Sequence, residues 1–206
     1  IKRMSHQFKL CELLPNLAPF APRALAQSEI SKITQDSREA GPGVLFFAIK
    51  GTSHNGHDFV ESALKSGCVA AIIDQPINES NKASLVRCIQ VEDTRKAFAD
   101  ACKIFYFGQL VNISTGSLHP LQCVGVTGTN GKTSVTYIVR DILKNSGIRT
   151  GVLGTIENSF EDYRVQSPQT TLGSQLLFKT LSDFFLQGAR AVSMEISSHG
   201  LDQMRC

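Results

Sequence analysis

The stretch "VGVTGTNGKTSVTYIVRDILKNSG", Val124–Gly147, decides how this chain is read. It begins as an apolar strand, bends through two glycines and continues with helical periodicity. Phosphate binding needs backbone N–H groups converging at a helix start, glycines that let the backbone come close, and a lysine reaching the outer phosphates. The spacing G-x-x-x-x-G-K-[ST] would place a glycine at position 126, where this chain has Val126. Val126 is read as the last strand residue, with the bend at Thr127-Gly128, so the substitution changes the pattern and leaves the mechanism intact. Gly128 and Gly131 frame the turn, and a helix is expected from about Lys132 to Asn145, closed by Gly147. The candidate ATP loop is Gly128, Thr129, Asn130, Gly131, Lys132, Thr133 and Ser134, with Thr133 placed to bind a magnesium ion bridging the phosphates. The competing reading, a glycine-rich turn with a solvated lysine, accounts less well for strand, helix and Gly-Lys-Thr occurring together.

The rest of the chain bounds the problem. Its 206 residues suffice for one large domain or two small ones, and 42% hydrophobic with 19% charged residues is ordinary globular composition. A net charge of +3 without a Lys/Arg-rich run gives no reason to expect a nucleic-acid partner. No apolar stretch approaches the ~20 residues needed to span a bilayer, and the start lacks the features of a signal peptide. The six cysteines form no C-x-x-C pair, and several sit in apolar runs. Reduced core thiols in a cytoplasmic protein are expected. The chain starts at Ile1 and stops at "LDQMRC", which is read as a piece of a longer polypeptide.

Two blocks alternate strand and helix. In the first, "SEISKITQ", "GVLFFAIKG", "CVAAIID" and "LVRCIQV" read as strands. A helix from about Asp58 to Ser66 is expected to be capped by Asp58 and ended by Gly67, and "DTRKAFADACKIFYF" to form a helix opened by Asp93 or Thr94. Gly108–Pro120 is the candidate linker. In the second block "LQCVGV", "IRTGVLGTI" and "ARAVSMEI" read as strands, with a helix in "GSQLLFKTLSDFFLQG" whose Leu176, Leu177, Leu181, Phe184 and Phe185 face one way. This order predicts an α/β fold with mainly parallel sheets.

Ligands of open α/β sheets sit beyond the carboxyl ends of the strands. Glu195 ends an apolar strand in the same expected sheet as the phosphate loop, so its carboxylate can complete the magnesium shell opposite Thr133. Ser197, Ser198 and His199 follow it after Ile196.

"GVTGTNGKTS" followed by "MEISSHGL" resembles the Mur ligases, and the second motif resembles their MurE branch, the UDP-N-acetylmuramoyl-tripeptide synthetases. "TQDSREAGPGVLFFAIKGTSHNGHDFVESALKSGCVAAIID" is similar to the family's uridine-nucleotide-binding domain, and "QTTLGS" stands where the family has its Thr-Thr substrate loop. The resemblance runs from about Ile33 to Arg205. It implies a UDP-MurNAc-binding α/β domain over residues 1–112, a linker at 113–120, and the start of a P-loop-type ATP-binding domain at 121–206. The family's third domain, for the incoming amino acid, would be absent.

The implied activity is ATP-dependent amide synthesis, an acid–amino-acid ligase reaction. The D-Glu carboxylate of UDP-MurNAc-L-Ala-D-Glu would be phosphorylated, and a diamino acid, meso-diaminopimelate or L-lysine, would attack the acyl phosphate. Lys132 and Glu195 would be catalytic, with ATP and Mg2+ as cofactors. Gln35, Ser37, Thr52, Ser53 and His54 would touch the nucleotide sugar; Gln169, Thr170, Thr171, Ser197, Gln203 and Arg205 would touch the muramoyl peptide, with His199 in a second rank. The protein would be a cytoplasmic monomer in peptidoglycan precursor synthesis, with neither nucleic acid nor membrane as partner, and this piece alone would be inactive. From the residues alone, Asp36-Ser37-Arg38 also reads as a simple turn, Thr170-Thr171 as capping ahead of Gly173, and His54 and His57 as loop and helix-start hydrogen bonding. Two other readings stand beside the main one: a MurF-type or folylpolyglutamate-synthetase-type ligase, and a non-catalytic scaffold of the same fold.

Overall fold

The computed structural model describes residues 7–15, 22–52, 54–76, 86–107 and 121–205. The linker at 113–120 and Ser53 lie outside them. The chain divides into two compact units, Ile1–Phe105 and Tyr106–Cys206.

The first unit opens with β1 (Phe8–Lys9), α1 (Leu10–Leu13), α2 (Arg23–Ala26) and β2 (Glu29–Ile30), with β1 and β2 paired antiparallel. The expected single strand "SEISKITQ" is broken: Ser31 separates β2 from β3 (Lys32–Thr34) and donates its N–H to Gly43 O at 2.9 Å. With β4 (Val44–Phe47), β5 (Ala70–Ile73) and β6 (Cys88–Gln90), β3 forms an all-parallel sheet in the order β3-β4-β5-β6. β4 and β5 are buried along their whole length, so they read as unbroken apolar runs. One face packs Val44, Phe46, Ala71 and Ile73 against Val60, Ala63 and Leu64 of α3 (Val60–Lys65).

The helix expected from Asp58 starts differently. A 3-10 turn over Gly56–Phe59 precedes α3, and Asn55, whose side chain accepts from His57 N, is the cap in place of Asp58. Gly67, at φ +100°, ends it as expected. Helix α4 (Thr94–Phe107) is opened by Asp93, whose carboxylate accepts from Arg95 N and Lys96 N.

The second unit is built on β7 (Gln122–Val126), α5 (Lys132–Asn145), β8 (Thr150–Leu153), β9 (Glu157–Phe160), β10 (Tyr163–Gln166), α6 (Ser174–Leu186), β11 (Ala191–Glu195) and α7 (Ser198–Asp202). Its sheet runs β10-β9-β8-β11-β7, parallel through β8, β11 and β7 and antiparallel through the β9–β10 hairpin. β7 stands at one end of that order, and the apolar Val135, Ile138 and Ile142 on α5 are exposed. The core packs Leu153, Phe160 and Val192 against Leu177, Leu181 and Phe184 of α6. Leu176 does not join them: it is 41% exposed, because it lies about 100° round the helix from Leu177. Phe185 is only half-buried.

Candidate functional site

β7 ends at Val126, and the chain then bends through Thr127–Asn130 into α5. Gly128 (φ +144°) and Gly131 (φ +77°) both take backbone conformations that a side chain would strain. Gly131 is the N-cap of α5 and supplies no capping side chain, so the first-turn amides have no side-chain acceptor. They form a donor cluster at the positive end of a fourteen-residue helix. Lys132 folds back over this loop, its Nζ donating to Gly128 O at 2.7 Å and reaching Thr129 O at 3.5 Å.

Glu195 ends β11, the strand beside β7, and its Cα is paired with that of Val126, the last residue before the loop. Parallel register thus sets the carboxylate-bearing residue beside the glycine loop. The residue is 3% exposed. Its Oε1 accepts from Thr155 N at 2.9 Å and its Oε2 from Thr155 Oγ1 at 3.0 Å. Among the described residues no lysine, arginine or histidine forms an ion pair with it. A buried carboxylate held only by neutral donors is energetically suited to a cation. No group of three or more His, Cys, Asp or Glu is poised for a metal among the described residues. Magnesium bound through nucleotide phosphates and water needs only one or two carboxylates, so the single carboxylate of Glu195 is compatible with that ion.

A second cluster surrounds this carboxylate. Thr155 and Thr170 hydroxyls stand 3.1 Å apart. Thr171, which is buried, donates to the backbone O of Glu195 (3.3 Å) and accepts from Ser197 N (2.9 Å). Ser197 caps α7 by accepting from Gly200 N at 3.0 Å. Arg205 donates to Gln169 Oε1 (2.9 Å), Thr171 O (3.0 Å) and Gln203 Oε1 (3.0 Å through Nε). Gln169, Thr170, Thr171, Ser197, Gln203 and Arg205 are therefore one connected network. Arg205 is committed to two glutamines and a carbonyl. His199 is exposed. Sequence reasoning missed Thr155, the residue that holds both oxygens of Glu195; its partners are 15 and 40 positions away, and nothing local marks it.

The first-unit candidates form a separate set. Ser37 begins a 3-10 turn capped by Asp36, which accepts from Arg38 N at 3.0 Å, and Gln35 is exposed. The Arg38 guanidinium, bonded to Asp36 by its side chain, lowers the Asp36 carboxyl to about 2. Thr52 and His54 are exposed in the loop closed by Gly51 N to His54 O at 2.9 Å. Neighbouring His57 is buried and bonded through Nδ1 to Asn55 Oδ1 at 2.9 Å, so it serves local structure.

Comparison with known proteins bears on both units. The pattern of the "Mur ligase family, catalytic domain" matches residues 29–106, and that of the "Mur ligase middle domain" matches residues 126–206. The UDP-N-acetylmuramoyl-L-alanyl-D-glutamate–2,6-diaminopimelate ligase of Geobacter sulfurreducens is 39% identical over 197 residues, 96% of this chain and 36% of that protein. The protein of the same name from Geobacillus thermodenitrificans is 36% identical over 197 residues, 96% of this chain and 38% of its own length. A solved structure of a ligase of that name superposes with a TM-score of 0.76 at 26% identity, covering 97% of this chain and 38% of the other. MurF from Acinetobacter baumannii shares the fold, with a TM-score of 0.54 at 22% identity over 94% of this chain and 36% of its own. The chain spans a little over a third of the length of the curated relatives it matches. No helix among the described residues is long and apolar enough to cross a membrane.

Proposed function

The chain belongs to the Mur ligase family, and from that premise we propose that it is part of an ATP-dependent ligase that adds a diamino acid to UDP-MurNAc-L-Ala-D-Glu. The observation that carries the reading is the buried carboxylate of Glu195, held by the neutral donors of Thr155, on the strand next to an uncapped glycine loop and its Lys132.

A carboxylate is a poor acyl donor until one oxygen becomes part of a good leaving group. In the proposed reaction an oxygen of the D-Glu carboxylate attacks the γ-phosphorus of ATP, the bond to the bridging oxygen breaks, and ADP departs. The amine then attacks the acyl carbon, phosphate leaves, and the nitrogen loses a proton. The loop amides and Lys132 hold the triphosphate and stabilise the charge that builds on it. A magnesium ion held by Thr133 and Glu195 supplies further neutralisation of the phosphates when bound. The network of Gln169, Thr170, Thr171, Ser197, Gln203 and Arg205 is assigned to the muramoyl peptide, and Gln35, Ser37, Thr52, Ser53 and His54 to the nucleotide sugar.

This assignment divides the chain into a UDP-MurNAc-binding domain at 1–112, a linker at 113–120 and the start of the ATP-binding domain at 121–206. It carries with it a cytoplasmic, monomeric enzyme whose partners are small molecules. The relatives' names favour 2,6-diaminopimelate as the amino acid. The test is ADP release by the intact polypeptide with Mg2+, ATP and UDP-MurNAc-L-Ala-D-Glu, comparing diaminopimelate with lysine. Stimulation by one of them, falling by two orders of magnitude or more in Lys132→Ala, is expected. Turnover that ignores this acceptor, or survives the substitution, refutes the reading.

A further inference from the structure

We propose that Thr155 is a positioning residue for the metal-binding carboxylate and ties its orientation to the Thr170-Thr171 substrate loop; this rests on Glu195 being a magnesium ligand, as proposed above. Glu195 is nearly inaccessible to water, so its charge depends on donors supplied by the protein. Thr155 supplies one to each oxygen, from its backbone N–H and from its hydroxyl. A carboxylate has about four lone-pair sites. Two are engaged by Thr155, and two remain for a cation.

The hydroxyl carries one hydrogen, and an ionised carboxylate can only accept. That hydrogen is shared between two acceptors, Glu195 Oε2 at 3.0 Å and Thr170 Oγ1 at 3.1 Å. Thr155 is thus the hub that joins Thr170 to Glu195. On the other side Thr171 donates to the backbone O of the same glutamate. Both threonines of the substrate loop are thus tethered to the residue at the end of β11, one to its carboxylate through Thr155 and one to its main chain. Gly154 completes the seat: Glu195 Oε1 occupies the space a Cβ at position 154 would need.

Thr155→Val keeps the shape and the backbone donor and removes the hydroxyl; Thr155→Ser restores it. The probe is Mn2+ bound in the presence of ADP, measured by electron paramagnetic resonance on the intact polypeptide, with circular dichroism as the check on folding. Loss of a group that orients a metal ligand weakens metal affinity about 10–100-fold. Thr155→Val is expected to weaken Mn2+ binding by about tenfold or more with an unchanged spectrum, and Thr155→Ser to return it to within about threefold. Wild-type affinity in Thr155→Val, or equal weakening in Thr155→Ser, overturns the proposal. Should the valine variant not fold, Thr155→Ala is measured against the same two outcomes. Glu195→Gln, run in parallel, separates the two ideas. Wild-type Mn2+ binding in that variant removes Glu195 from the metal site altogether, whereas its loss alongside an unaffected Thr155→Val defeats the Thr155 role alone.

Discussion

Gly154→Ala should damage the proposed metal site out of proportion to its size. The added methyl would stand 3.1 Å from Glu195 Cδ and 3.2 Å from its Cγ, and closer still to Oε1. Three atoms of one side chain would have to move. Two routes relieve the overlap. The carboxylate can swing away, breaking two hydrogen bonds to an ionised group at about 1.5–3 kcal/mol each, with little water to replace them because Glu195 is buried. Alternatively the main chain between β8 and β9 can shift, which for overpacking costs about 1–3 kcal/mol. The second route is cheaper, so the expected loss of stability is about 1–3 kcal/mol, with the displaced backbone carrying Thr155 N out of line with Oε1. Urea denaturation followed by circular dichroism gives the stability, and Mg2+-dependent nucleotide binding gives the site. Gly41→Ala is the control, since nothing lies within 4 Å of its Cβ position. A Gly154→Ala protein that is as stable as wild type and binds Mg2+ and nucleotide normally would refute the packing argument.

Two further outcomes are expected. Phe184→Ala should cost about 3–5 kcal/mol in denaturant unfolding, because the ring is fully buried against Phe160 and Tyr163, whereas exposed Leu176→Ala should be close to neutral; comparable losses would contradict the core assignment. The Asp36 carboxyl should titrate at about 2 by NMR and rise toward the ordinary carboxylate range in Arg38→Ala, which removes the guanidinium and keeps the backbone donor. Its folded value is depressed, so whatever stability it contributes is present above about pH 4 and lost as pH falls toward 2. Because Arg38 is largely exposed, screening keeps that contribution small, and a normal midpoint in the wild type would refute the pairing.

The elements legible in the sequence were those whose signals are local. Lys132 opens α5 directly after a glycine, Gly147 follows its end, and apolar runs flanked by turns became β4, β5 and β11. The β9–β10 hairpin escaped because its turn uses Glu161, at φ +50°, where a glycine or asparagine would have announced it. Asn55 displaced Asp58 as cap because the chain first makes a 3-10 turn, which no periodicity in so short a segment reveals. At the site, loop residues and Glu195 stood out by type and position. Thr155 did not, since a threonine in the bend between β8 and β9 is unremarkable until the parallel pairing of β8 with β11 brings Glu195 to it.

Lys132, resting on the carbonyls of Gly128 and Thr129, complicates the usual reading of an alanine variant. The ammonium braces the turn in which it is proposed to act, so its removal loosens the loop as well as deleting the proposed contact to the outer phosphates. A single affinity ratio would add those two losses together. Measuring AMP beside ATP separates them, since AMP lacks the phosphates assigned to the lysine, and whatever weakening it suffers belongs to the slackened loop.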